Sequence, residues 1–139
     1  MPKQVYINLP VKDLTKATEF YTALGFTKND EWSNQDASCM KFSEEIFFML
    51  LTHDFYTKFT SKSIPDLTVN SSVLISISMD SREEVQKFAD IAKALGGDYF
   101  MAEPNQELDF MFCLEVTDLD GHTIEPTFMD MSKLPTSTN

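Results

Sequence analysis

Residues 4–25 read QVYINLPVKDLTKATEFYTALG, and this stretch predicts a strand followed by a helix. Apolar side chains alternate with the others from Val5 to Val11, a period of two that is typical of a strand with one apolar face. Asp13 then stands where a helix N-cap is expected, and Gly25 stands where helices commonly end. Between them, apolar residues recur at helical spacing. The stretch therefore predicts a β-α unit.

The same pattern returns in the second half of the chain. Residues 73–79 alternate again, Ser81 and Glu84 have the spacing of a capping box, and Gly96 follows the apolar stripe of a second helix. Three strand-like segments follow each helix, at 26–32, 37–42 and 46–52 in the first half and at 98–102, 109–117 and 122–129 in the second. The sequence thus predicts two β-α-β-β-β units, about 4–52 and 72–130, joined by a connector over 53–71.

Composition and charge exclude several classes of function. The 139 residues include 11 Lys and Arg against 22 Asp and Glu, a net charge of −11. The sequence has no basic cluster that would bind a nucleic acid despite this net negative charge. It also has no apolar run approaching the roughly 20 residues that a membrane-spanning helix needs. The first 14 residues show no signal-peptide pattern, so we expect a soluble cytoplasmic protein. Cys39 and Cys113 are then expected to be reduced and buried.

The duplicated arrangement and two motifs together resemble the vicinal oxygen chelate superfamily, which includes glyoxalase I, extradiol dioxygenases and bleomycin-resistance proteins. The first motif is NLPVKDL at 8–14, continued by Phe-Tyr at 20–21 and Leu-Gly-Phe at 24–26. The second is DLDGHTIE at 118–125. The resemblance implies a single α+β domain over 1–139, in which the curved mixed sheets of two tandem β-α-β-β-β units enclose a cavity.

Family enzymes hold a divalent metal with two ligands from each unit, so the resemblance also implies positions for a metal centre. Carried onto this sequence, those positions fall at Tyr6, Leu50, Leu74 and Glu125. Only Glu125 is an ordinary metal ligand, since leucine has no lone pair and neutral tyrosine binds such metals poorly. We therefore expect neither a metal nor another cofactor at the usual place. His53 and His122 lie at none of these positions and are expected to be solvated or hydrogen-bonded.

A concave ligand-binding face follows from the same resemblance and from strand parity. Moving two residues along a strand keeps a side chain on its face, which makes Asn8 and Ser76 the nearest polar neighbours of those positions. Trp32, near a loop, is a candidate for stacking on a ligand. The residues expected on the concave face are Tyr6, Asn8, Phe48, Leu50, Leu74, Ser76, Ser78, Thr123, Glu125 and Thr127.

Three functions remain open from the sequence. The first is a homodimer that binds a small aromatic or cationic molecule in this cavity without the family's usual metal. The second is a divalent-metal-dependent lyase, isomerase or dioxygenase of the glyoxalase type, with an atypical site around Glu125. Glu125 is the candidate catalytic residue and also a candidate ligand-binding residue. Three roles remain open for it: a general base, a partner for a bound cation, or a purely structural hydrogen bond to Tyr6. The third is a structural or regulatory dimer whose cavity is filled.

Overall fold

The predicted repeat is present in the structure, a computed structural model that describes residues 2–103 and 106–133. The chain divides into two compact units, Met1–Ser72 and Val73–Asn139, and the predicted connector belongs to the first. Unit 1 contains β1 (Val5–Val11), α1 (Leu14–Ala23), β2 (Thr27–Asn29), β3 (Ala37–Lys41), β4 (Ile46–Thr52) and α2 (His53–Tyr56). Unit 2 contains β5 (Leu74–Ser78), α3 (Arg82–Ala94), β6 (Asp98–Phe100), β7 (Glu107–Leu108), β8 (Met111–Cys113), β9 (Glu115–Thr117) and β10 (Thr123–Met129).

In unit 1 the helix α1 packs on one face of a mixed sheet with the order β1-β4-β3-β2. β1 and β4 run parallel, and the other pairs are antiparallel. Asp13 caps α1 as predicted, because its side chain accepts a hydrogen bond of 3.0 Å from the Lys16 amide. On the helix-covered face, the ring of Tyr21 meets that of Phe48 edge-on at 5.6 Å. The face of the sheet that α1 covers thus forms the core of unit 1, and α1 does not cover the opposite face.

Unit 2 repeats this order: β5 lies beside β10, β10 beside β8 and β9, and β6 beside β9. The Ser81 side chain accepts a 3.1 Å bond from the Glu84 amide, while Glu84 accepts one of 2.8 Å from the Asp80 amide. The predicted strand 109–117 is divided at Leu114. Its partner Pro126 accepts from the Leu114 amide at 3.4 Å but has no N–H to donate in return, which interrupts the ladder.

Some predicted elements differ from the observed ones. The strand expected over 26–32 ends at Asn29, and Asp30–Trp32 forms a single 3₁₀ turn. The cause is local, since the Asn29 side chain accepts a 3.1 Å hydrogen bond from the Glu31 amide and caps that turn. Cys39 and Cys113 are free and buried, as predicted. Among the described helices none is long and apolar enough to cross a membrane.

Candidate ligand pocket and carboxylate cluster

The register of unit 1 determines which side chains share the open face of its sheet. Tyr6 lies opposite Phe47, and Asn8 lies opposite Met49. Met49 in turn lies opposite Cys39 on the other side. Because directly paired residues point to the same face, these five side chains lie together on the face that α1 leaves open.

Phe48 and Leu50 lie on the other face, so the prediction that they join Tyr6 on the concave face is wrong. Both are fully buried. The Phe48 ring packs against Tyr21 and, at 5.0 Å, against Phe26. The error has a clear physical origin: residues 46–51 are all apolar, and a strand without alternation does not reveal which of its faces points inward.

A pocket of about 470 Å³ opens on this face, within the range of small-molecule sites. Its lining residues are Gln4, Tyr6, Asn29, Trp32, Cys39, Phe47 and Met49. The rings of Tyr6 and Phe47 stack at 4.9 Å with an angle of 14° between their planes. The Tyr6 hydroxyl donates its single proton to Gln4 Oε1 at 2.8 Å. The pocket is therefore an aromatic surface edged by amide groups.

Trp32 reaches this pocket from the 3₁₀ turn rather than from a strand. The turn is tied to the sheet by Ser33, whose hydroxyl donates to the Asn29 carbonyl at 2.6 Å and accepts from the Cys39 amide at 2.9 Å. The Trp32 side chain is nevertheless 71% exposed. Asn8 lies on the same face, also exposed, but is not among the lining residues. The structure thus brings Tyr6 and Trp32 to one pocket.

The predicted site residues of unit 2 also share a face, on the sheet side away from α3. Leu74 pairs with Thr123 and Ser76 with Glu125, which confirms that these positions lie on one face as predicted. The Ser76 hydroxyl donates a hydrogen bond to Glu125 Oε1. Leu74 is largely exposed, like Ser76 beside it.

Sequence reasoning missed Glu115, which the structure places opposite Glu125. The pairs Thr127–Cys113 and Thr123–Thr117 on either side fix this alignment. In an antiparallel ladder, hydrogen-bonded and non-hydrogen-bonded pairs alternate, and the amide of Leu114 bonds to the residue following Glu125. Glu115 and Glu125 are therefore a non-hydrogen-bonded pair, the kind in which side chains lie closest. Like charges in this arrangement are destabilising.

The two carboxyls consequently titrate differently. Glu115 is only 7% exposed, and burial, followed by its hydrogen bond with Glu125, raises the pKa of its carboxyl to about 7. The Glu125 pKa is lowered, because the hydrogen bonds from Glu115 and then Ser76 favour its charged form. Gln106 donates to Glu115 Oε1 at 2.9 Å. The two carboxyls therefore titrate as a pair, and Glu115 is the one that gives up its proton at the higher pH.

Cys113 completes this cluster. It lies two residues before Glu115 and therefore on the same face, where the Thr127 hydroxyl approaches its sulfur at 3.3 Å. One ligand atom each from Cys113, Glu115 and Glu125 lie within 4.8 Å of one another. Burial, together with the two nearby carboxylates, raises the pKa of the Cys113 thiol. We call these three residues the Cys-Glu-Glu cluster.

The family's four-ligand centre does not fit the residues that stand at its positions. Leu50 is buried under α1. The residues of β4 that do lie on the open face nearby are Phe47 and Met49, and neither offers a carboxylate or an imidazole. Leu74 is aliphatic, and the Tyr6 hydroxyl already donates to Gln4. Glu125 is the only one of the four with an ordinary ligand atom. No chemistry of this chain is therefore assigned to that centre.

Comparison with known proteins supports the same relationship. The family model of the Glyoxalase/Bleomycin resistance protein/Dioxygenase superfamily matches residues 3–125. A hypothetical protein, SA1046, from S. aureus has a similar structure, with a TM-score of 0.74 and 25% identity over 92% of this chain and 95% of that one. A glyoxalase/bleomycin resistance protein/dioxygenase family enzyme from Burkholderia phytofirmans PsJN gives 0.72, with 16% identity over 92% and 99% of the two chains.

A third similar structure is the genomically encoded fosfomycin resistance protein FosX from Listeria monocytogenes, with a TM-score of 0.64 and 20% identity over 99% of this chain and 96% of that one. No curated protein sequence matches the chain significantly. The family match covers most of the chain, and the fold, the tandem units and both motifs agree with it. The chain belongs to the Glyoxalase/Bleomycin resistance protein/Dioxygenase superfamily.

Proposed function

We propose that this chain binds a small organic molecule on the open face of the unit 1 sheet, without the family's four-ligand metal centre. The observation that carries the proposal is the pocket of about 470 Å³ around the stacked rings of Tyr6 and Phe47. A cytoplasmic location and a homodimer, both expected from the sequence, belong to the same proposal.

The lining favours a planar ligand. Trp32 presents most of its ring to solvent although burying an aromatic side chain is favourable, so covering it with a ligand removes apolar surface from water. Phe47 and Met49 extend the apolar floor, while the amides of Gln4 and Asn29 offer a few directed hydrogen bonds. Few polar groups around an apolar centre are typical of small-molecule sites.

The electrostatics favour a cation over an anion. None of the seven lining residues is an acid or a base that is charged at neutral pH, since burial raises the pKa of the Cys39 thiol and keeps it protonated. An ion-pair partner is therefore not part of the pocket. Aromatic faces attract cations, and the net charge of −11 attracts them at longer range. An aromatic cation satisfies both conditions.

Fluorescence offers a direct test, because Trp32 is the only tryptophan in the chain. We expect saturable changes in its emission when a panel of planar cations, neutral aromatics and aromatic anions is titrated into the protein, with the cations binding most tightly. An unchanged spectrum across the panel would contradict the proposal.

A matched pair of variants then distinguishes binding in the pocket from nonspecific binding to exposed aromatic residues. Trp32→Ala is expected to weaken binding measured by calorimetry roughly tenfold, the loss of about 1.4 kcal/mol. Phe59→Ala is the control, because Phe59 is an equally exposed aromatic residue, at 71%, outside the pocket. Equal losses in the two variants would count against a specific site.

A second candidate function, an enzyme acting through Glu125, is favoured by the pairing of its carboxyl with that of Glu115. Two facing carboxyls with pKa values shifted in opposite directions, with Ser76 donating to one of them, have the components of a general acid–base pair. In this role Glu125 would take a proton from a substrate bound beside Ser76. Glu125→Gln should then abolish turnover of any substrate found for this chain while leaving Trp32 titrations unchanged. Full turnover in the Glu125→Gln variant would exclude a catalytic role for Glu125.

A further inference from the structure

One buried oxygen in unit 2 has no donor directed at it among the described residues. Glu115 is more than nine-tenths buried, and Gln106 donates to its Oε1. Its Oε2 is also buried, and no donor among the described residues reaches it. Two things can satisfy this atom: a proton shared with Glu125, or a cation.

The groups around the Glu115 carboxyl have the composition of a metal site. A sulfur and two carboxylate oxygens, from Cys113, Glu115 and Glu125, lie within 4.8 Å of one another. Each of the three side chains also contacts a polar group, as metal ligands usually do. Those groups are Thr127 for Cys113, Gln106 for Glu115 and Ser76 for Glu125.

We propose that the Cys-Glu-Glu cluster binds one divalent cation of borderline softness, with Zn²⁺ as its representative. The site differs from the family's centre, because all three ligands come from unit 2 and only Glu125 stands at a family position. It goes beyond the proposed function, since it lies in the other unit and uses none of the residues that line the unit 1 pocket.

The type of ion follows from the ligands. A thiolate selects Zn²⁺ or a similar ion over Mg²⁺ and Ca²⁺, which prefer all-oxygen sites. In a tetrahedral zinc site with bonds of about 2.0–2.3 Å, ligand atoms lie roughly 3.3–3.5 Å apart. Side-chain movements of about 1 Å therefore close the cluster around the ion. On binding, the Cys113 thiol and the Glu115 carboxyl release their protons to solvent, and an exchangeable ligand such as water fills the fourth position.

Cadmium absorption tests the site directly, because a Cd²⁺–thiolate bond gives a charge-transfer band in the ultraviolet. The protein is stripped with a chelator and titrated with Cd²⁺, and then with Zn²⁺ and Mg²⁺ by calorimetry. We expect one ion per chain in the Cd²⁺ titration and one in the Zn²⁺ titration, and no comparable binding of Mg²⁺. The band should remain in Cys39→Ser, where Cys113 is the only thiol, and disappear in Cys113→Ser.

Glu115→Gln distinguishes this site from one built at the family positions. We expect it to weaken Zn²⁺ binding at least tenfold, whereas Glu19→Gln, which removes an exposed charge from α1, should leave it unchanged. Absence of the band in Cys39→Ser would overturn the proposal and leave the carboxyl pair with a shared proton only. Unaltered Zn²⁺ affinity in Glu115→Gln would overturn it as well. Neither result depends on ligand binding to Trp32, so failure here and failure of the proposed function are separate outcomes.

Discussion

Replacing Glu115 by glutamine should change how the stability of the protein depends on pH. Burial, and next the hydrogen bond with Glu125, raises the pKa of Glu115 from 4.5 to about 7, so the folded chain keeps this proton where the unfolded chain has lost it. The stabilisation is fully present below pH 4.5 and is lost as the pH rises to about 7. A difference of that size corresponds to about 3 kcal/mol. Glutamine stays neutral and should not show this loss.

The neighbours of Glu115 do not obscure this window. The Glu125 pKa is lowered, so its contribution is lost only on acidification below the ordinary carboxyl range. Cys113, whose pKa is raised by burial, stays protonated as the pH rises to 7. Gln106 is uncharged. The wild-type protein and the variant share every other titrating group, so the difference between their stabilities isolates the carboxyl pair.

The assay is urea unfolding in chelator-containing buffer at several values from pH 5 to pH 8. Across this range we expect Glu115→Gln to gain stability relative to the wild-type protein, by about 2–3 kcal/mol between pH 5 and pH 8. Glu19→Gln, which removes an exposed acid, should follow the wild-type curve. Parallel stability curves for wild type and Glu115→Gln would refute the assignment of a raised pKa to this residue.

Three further predictions concern two glycines, one helix cap and the oligomeric state. Gly25 and Gly96 both have φ of 104°, so alanine at either position should lower the free energy of unfolding in urea by about 1–2 kcal/mol. Gly96→Ala should lower it at least as much as Gly25→Ala. The reason is that the new Cβ would lie 3.2 Å from Leu119 Cδ2, whereas the space at Gly25 is open. Ser81→Ala removes the cap of α3 and should cost about 1 kcal/mol, with Ser81→Thr retaining most of that stability; equal losses would argue against the cap. Sedimentation equilibrium should show the expected homodimer, and a monomer at micromolar concentration would contradict it.

The sequence predicted the repeat well because its local signals are strong. Asp13, Ser81, Gly25 and Gly96 mark the ends of both long helices, and the structure places caps and helix ends at these residues. The alternation in β1 and β5 also identified their faces correctly. These features depend on short-range interactions that a sequence displays directly.

The open faces were harder to predict, because they depend on register between strands distant in sequence. In β4 every residue from Ile46 to Leu51 is apolar, so Phe48 and Phe47 could not be told apart by pattern. Glu115 was missed for a related reason. Its alternation with Val116 does place it on the same face as Cys113, but nothing local shows that this face is the one that carries Glu125.

Methyl NMR of methionine tests the central claim of a ligand pocket on unit 1 most directly. Met49 lines the pocket on the open face, while Met40, on the neighbouring strand, pairs with Phe48 on the helix-covered face and is fully buried. During titration with a planar aromatic cation, we predict a saturable ring-current shift of the Met49 methyl resonance and little change at Met40. A Met49 resonance that stays fixed while the ligand saturates, or equal shifts at both methyl groups, would contradict the account.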